Sequence, residues 1–239
     1  MVYLSLTVLV LLAGLLLARR YLDLPVYPVF KVFLLVFLAG VVLGLAGIVT
    51  AGIGAFQGDG AKIMHGLSAL LLMSVPLILT VVAVGPQRFG GPVIHDVSTD
   101  LTDPPEFVAA REQRGSGDNP TAWAGDTLVA EIESNYPDLA PEMMQADPRT
   151  VLEHVVKLAE AFGWEIMRVD KERFEVEAVD RTWLWGFKDD VIVRVTPGES
   201  ASRVDMRSAS RVGKGDLGAN AARVRRFIAA LKANTAHEE

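Results

Sequence analysis

The chain has 239 residues, 51% hydrophobic and 22% charged, with a formal net charge of −6 and no cysteine. The missing cysteines exclude disulfides, zinc–thiolate sites, iron–sulfur clusters and a cysteine nucleophile. All but four of the 23 Lys and Arg and all but two of the 29 Asp and Glu lie beyond residue 85. That part is acidic and argues against a nucleic-acid or anionic-lipid partner.

The N-terminal part is apolar. Met1 to Ala18, Val32 to Phe56 and Gly66 to Val84 contain no charge, and each is close to the ~20 residues with which a helix crosses the hydrocarbon core of a bilayer. Residues 1–85 are therefore expected to form a three-helix transmembrane anchor in contact with membrane lipids. The first run lacks a basic region before it, and Arg19 and Arg20 follow it, so an uncleaved helix is expected in place of a signal peptide.

Gly40, Gly44 and Gly47 give the second helix a small face, with Gly40-x-x-x-Gly44 the clearest close-packing motif. That face is expected to meet its neighbours or a partner subunit. No charge lies at mid-membrane depth, which argues against an ion or proton path. The first loop, Arg19 to Lys31, holds three Lys or Arg and the second, Gln57 to His65, holds one. The positive-inside rule then puts the first loop, and with three spans the C-terminal part, in the cytoplasm.

Residues 86–120 are punctuated by Gly, Pro, Asp, Ser and Thr and are expected to be an extended linker. Residues 121–239 are expected to form the soluble domain. Within Trp123 to Ala146 a short helix is expected in DTLVAEIESNY and a turn in YPDLAP. Asp147-Pro148 is an N-cap followed by a first-turn proline, and Val151, Leu152, Val155, Leu158, Ala159 and Phe162 recur at helical spacing before Gly163. Period-2 segments follow in RFEVEAVDR, KDDVIVRVT and SRVDMRSASRV, with Glu165 to Val169 a further candidate, and suggest an antiparallel meander. A last helix starts near Leu217 to Ala219 and gathers Val224, Phe227, Ile228 and Leu231 on one face. The expected fold class is α+β: three transmembrane helices, then a two-layer domain of antiparallel sheet with an N-terminal and a C-terminal helix.

Gly213, Gly215 and Gly218 have the G-x-G-x-x-G spacing of a dinucleotide-binding loop. The required context is a βαβ unit, and no strand follows the last helix. Asp216 lies inside the loop, where it can cap that helix and would repel a phosphate, and Asn220 belongs to the same turn. A structural strand-to-helix turn is expected; a nucleotide is not, and a small anion held by Lys214 is the alternative.

On the last strand Arg203, Asp205, Arg207 and Arg211 alternate with Val204 and Met206, while Glu175 and Glu177 oppose Phe174, Val176 and Ala178. Asp190 and Arg194 are in phase with each other. One sheet face is thus charged, and it is either a solvated surface with cross-strand ion pairs or a face for a polar ligand.

His65, His95, His154 and His237 show no metal-ligand spacing. Ser208 or Ser210 with His95 and Asp190 would make a catalytic triple, but neither serine lies in a G-x-S-x-G elbow. Trp183, Trp185 and Phe187 are expected to fill the helix–sheet core, with a pocket or the membrane interface as the alternative. No metal, cofactor or catalytic residue is assigned.

The segments PPEFVA, NP, YPDL, GWEI, FKDDVIVRV and VDMRSASRVGKGDLGANAARVRRFIAAL together resemble the family called domain of unknown function 1499, over about residues 93–231. The pattern RSASRVG-x-x-DLG-x-NA-x-R marks Arg207, Ser208, Ser210, Arg211, Gly213, Asp216, Gly218, Asn220 and Arg223 without assigning a role. The resemblance implies a bacterial or plastid-type envelope protein of no established activity, and some relatives resemble lipoproteins or secreted proteins. It places the domain outside the cytoplasm, against the charge count. The expected function is a non-enzymatic membrane-anchored protein that binds a partner or polar ligand through Arg207, Arg211, Asp205, Asp190, Arg194, Ser208 and Ser210. The alternatives are a scaffold subunit of a larger membrane complex and a membrane-surface hydrolase or transferase.

Overall fold

The structure, a computed structural model, describes residues 1–22, 24–84, 91–182 and 185–235, without the side chains of residues 83 and 84. It divides into two units, Met1–Phe89 with Trp183–Gly186, and Gly90–Thr182 with Phe187–Glu239.

The first unit holds helices α1 (Val2–Tyr21), α2 (Val26–Gln57) and α3 (Gly60–Val84), all three long and apolar enough to cross a membrane. Helix α2 starts before the apolar run because Lys31 is no helix breaker. It stops at Gly58, whose φ of 70° suits glycine. A Cβ at Gly47 would lie 2.7 Å from the Gly66 carbonyl oxygen, and one at Gly66 would lie 2.6 Å from the Ala51 nitrogen, so α2 and α3 touch backbone to backbone. At Gly40 and Gly44 a Cβ would meet Met73 at 3.1 and 3.3 Å. The glycine face thus packs inside the chain. Within this unit the Trp185 ring sits edge-on to Phe30 and Phe33, at 5.2 and 4.6 Å. Trp185 therefore does not fill the helix–sheet core as expected; Trp183 lies outside the described residues.

The second unit comprises β1 (Asp96–Ser98), α4 (Ala109–Gln113), α5 (Asp126–Asn135), β2 (Glu142–Met144), α6 (Pro148–Ala161), β3 (Glu165–Asp170), β4 (Glu175–Arg181), β5 (Lys188–Pro197), β6 (Ser202–Ser210) and α7 (Ala219–Thr235). The sheet is antiparallel in the order β1-β6-β5-β4-β3, with β2 also on β6. The α+β reading holds. Asp147 caps α6, accepting from the N–H groups of Arg149 and Thr150 at 3.0 and 3.1 Å. Helices α6 and α7 cover one sheet face through Val151, Val155, Leu158, Val224, Phe227 and Leu231, packed on Val176, Val191, Val193, Val204 and Met206. Trp164 stacks on Phe227 with centroids 4.8 Å apart.

The extended-linker expectation for residues 86–120 needs correction. Residues 96–98 are a sheet strand, 109–113 are a helix, and Ile94, Val97, Phe107 and Ala110 are buried. Residues 85–90 lie outside the described residues. Gly, Pro and Asp report irregular backbone, which is a different property from exposure. Residues 100–121 form a strap on the face opposite α6 and α7, where Phe107 and Ala110 pack on Ile192 and Ala209.

Candidate functional site

Gly213 and Gly218 have φ of 91° and 74°, a left-handed backbone that glycine adopts without strain. A Cβ at Gly215 would stand 3.1 Å from the Val93 Cα. Asp216 then accepts from the N–H groups of Gly218 and Asn220, each at 2.7 Å. Burial pushes the Asp216 carboxyl above its ordinary pKa, against the pull of those two N–H bonds. The positive end of α7 therefore already faces a carboxylate of its own chain.

Between α7 and the sheet lies a polar cluster. Ser208 Oγ donates to Asn220 Oδ1 at 2.7 Å, and Asn220 Nδ2 donates to Ser210 Oγ at 2.9 Å and to the His95 carbonyl at 3.0 Å. Arg223 reaches Asp180 through Nε at 2.7 Å, Asp189 through Nη2 at 2.5 Å and Ser208 Oγ through Nη1 at 2.9 Å. Burial lowers the Arg223 pKa, and Asp189 and Asp180 raise it by more. One arginine thereby ties α7 to β4, β5 and β6.

The other sheet face is the charged one, and it is covered. Arg207 is 1% exposed and Asp190 0%. Arg207 holds Asp96 through Nε and Nη2 at 3.0 and 2.7 Å, and donates to the carbonyls of Pro105 at 3.1 Å and Thr121 at 2.9 Å. Its guanidinium lies 4.7 Å from the Phe107 ring centre and 5.0 Å from that of Trp123. Asp190 receives Arg211 Nη2 and Arg114 Nε, each at 2.7 Å. Arg194 bridges Asp205 at 3.2 Å to Asp103 at 3.0 Å. Glu177 accepts from the N–H groups of Val108, Ala109 and Ala110, all at 3.1 Å, and from Arg168 Nε at 2.9 Å. Burial pushes the Asp205 carboxyl up despite Arg203 and Arg194.

Two expectations are corrected here. The charged face carries the expected cross-strand ion pairs, but it is largely covered and not open, and the strap adds Arg114, Asp100 and Asp103 to those pairs. Nor do the expected face residues form one set: Arg207, Arg211, Asp205, Asp190 and Arg194 lie on the strap side, while Ser208 and Ser210 bond toward α7. The period of 2 along a strand separates Arg207 from Ser208. Asp96, Arg114 and Asn119 escaped the sequence reading as members of the site, whereas Glu177 lies on the charged face as expected. Asn119 donates to the Ser210 and Gly213 carbonyls at 3.0 and 2.8 Å. No short-range motif links them to β6, since Asp96 and Arg207 are separated by 111 positions.

Chemically, Ser208 touches an amide and a guanidinium, neither of which can take its proton. Asp190 lies across the sheet from both serines, and His95 Nδ1 is 3.2 Å from the Lys214 carbonyl oxygen. Among the described residues no three His, Asp or Glu gather as metal ligands.

These features define a class: an α+β domain with internally paired charges on both sheet faces, in a chain with three apolar helices of membrane-crossing length. The chain belongs to the family described as "Protein of unknown function (DUF1499)", whose model matches residues 96–231. Two curated proteins share a short similarity with it. They are 2-C-methyl-D-erythritol 2,4-cyclodiphosphate synthases of Pseudomonas fluorescens, strains Pf0-1 and Pf-5, 39% and 41% identical over 49 residues. Each match covers 20% of this chain and 31% of the relative. The chain thus spans under a third of those enzymes' length.

Proposed function

We propose that this chain is a multi-pass protein of a bacterial inner membrane whose α+β domain works by binding a protein partner or polar ligand, without catalysing a reaction. One observation carries the reading. The polar residues marked by the family pattern are engaged in bonds within the domain: Arg207 with Asp96, Arg211 with Asp190, and Arg223 with Asp180 and Asp189. Side chains committed in this way build a rigid recognition platform, and Ser208 lacks the base a nucleophile needs. The local likeness to the cyclodiphosphate synthases supports no transfer of their reaction, because it covers so little of either chain. The scaffold-subunit reading loses its main support, since Gly40, Gly44 and Gly47 are taken up by packing within the chain.

We further propose that the domain lies on the periplasmic side, a reading that the family resemblance to envelope proteins supports; the cation count of the first loop points the other way. The test of the binding role is purification of the full chain in mild detergent, mass spectrometry of what accompanies it, and re-addition of each candidate to the stripped protein. A partner or small molecule that raises the unfolding temperature on re-addition supports the reading. Turnover of a lipid ester or phosphoester by the purified chain sinks it.

A further inference from the structure

The two sheet faces are held by different forces. On the helix side more than twenty buried apolar residues form one core. On the strap side four are buried together, Phe107, Ala110, Ile192 and Ala209, and the remaining bonds are mostly charge-assisted. Desolvation offsets much of what a buried ion pair contributes, and segments with little buried apolar surface open at lower free energy than the core.

The sheet's own charges stay paired without the strap. Arg211 keeps Asp190, Arg207 keeps Asp96 on β1, Arg194 and Arg203 keep Asp205, and Arg168 keeps Glu175 and Glu177. Lifting residues 100–121 takes Arg114 from Asp190 and from the Ala209 carbonyl, the Pro105 and Thr121 carbonyls from Arg207, Asp100 from Arg203 and Arg194, and Asp103 from Arg194. It leaves no sheet carboxylate without a cation, so the sheet keeps its own pairs while water replaces the strap's contacts.

We infer that residues 100–121 open as a unit while the helix–sheet core stays folded, with the Glu177 carboxylate as the latch. Glu177 is 0% exposed and receives three successive strap N–H groups. Opening presents Arg194, Arg207, Arg211 and Asp190 to solvent. The inference is independent of the binding role proposed above: the strap opens whether or not a ligand uses the uncovered face.

Amide hydrogen exchange on the full chain in detergent micelles tests it. Protection of Val108, Ala109 and Ala110 is expected to be about tenfold or more below that of Val191, Ile192 and Val193 in β5. Glu177→Gln, which keeps the shape and removes the charge, lowers protection of the first set and leaves the second unchanged. Arg114→Gln does the same from the other end of the strap, with Asp190 still held by Arg211, and serves if the first variant folds poorly. Equal protection of the two sets in the wild type, or a parallel shift of both in the variants, overturns the inference.

Discussion

At the scale of single residues, Arg207 is the side chain on which most converges: a carboxylate, two carbonyls and two aromatic rings. Removing it strands Asp96 in a buried site, and breaking such a pair costs about 3–5 kcal/mol. Arg207→Ala in the detergent-solubilised full chain is therefore expected to lose stability on that scale in denaturant unfolding. Asp96→Ala in the same background should add little further loss; fully additive losses would refute the pairing. Arg207→Ala is accordingly a poor probe of ligand binding, since it tests folding first. Asp216 gives a pH signature. Its folded pKa is raised, so between the ordinary carboxyl value of 3.8 and the folded one the native state holds a proton that the unfolded state has lost. Its stabilising contribution is full below 3.8 and fades as pH rises through that window. Relative to Asp216→Asn, which does not titrate, the wild type should lose stability as pH climbs above 3.8; a relative gain would reverse the assignment.

At the scale of elements, the apolar runs, the capped α6 and the alternating strands were legible because each depends on local spacing. The hairpin order β4-β5-β6 also followed from the chain. The strap was not legible: Pro104, Pro105 and Asp103 advertise a broken backbone, and nothing local says that such a backbone lies across a sheet. The charged face was legible as a pattern, but its burial depends on Asp96, Arg114 and Glu177 meeting partners far along the chain. The glycines of α2 were legible as a packing face, though their partner was not. Gly66, on α3, is the decisive counterpart, since a Cβ there would fall 2.6 Å from the Ala51 nitrogen. Gly66→Leu is expected to force α2 and α3 apart and cost at least the ~1–3 kcal/mol typical of overpacking, read as a lower unfolding temperature in detergent. An unchanged temperature would mean that the two helices do not approach this closely.

At the scale of the whole molecule, the side of the membrane is decided by a single thiol. The chain has no cysteine, so Ser116→Cys, at an exposed position, provides one unambiguous label. On intact cells with a permeable outer membrane, a membrane-impermeant maleimide is expected to label it if the domain is periplasmic. Labelling only after lysis would put the domain in the cytoplasm, in line with the cations of the first loop.

The rims of the sheet carry one more consequence. The outer side of β6 is tiled by two strands of three residues each, β1 and β2, and the opposite rim, β3, breaks register between Ile166 and Arg168. Neither rim offers the long flat row of free N–H and C=O groups on which a foreign strand can grow. Copies confined to a membrane plane meet far more often than copies in bulk solution. A domain with such rims can be crowded there without its sheets fusing edge to edge into aggregates.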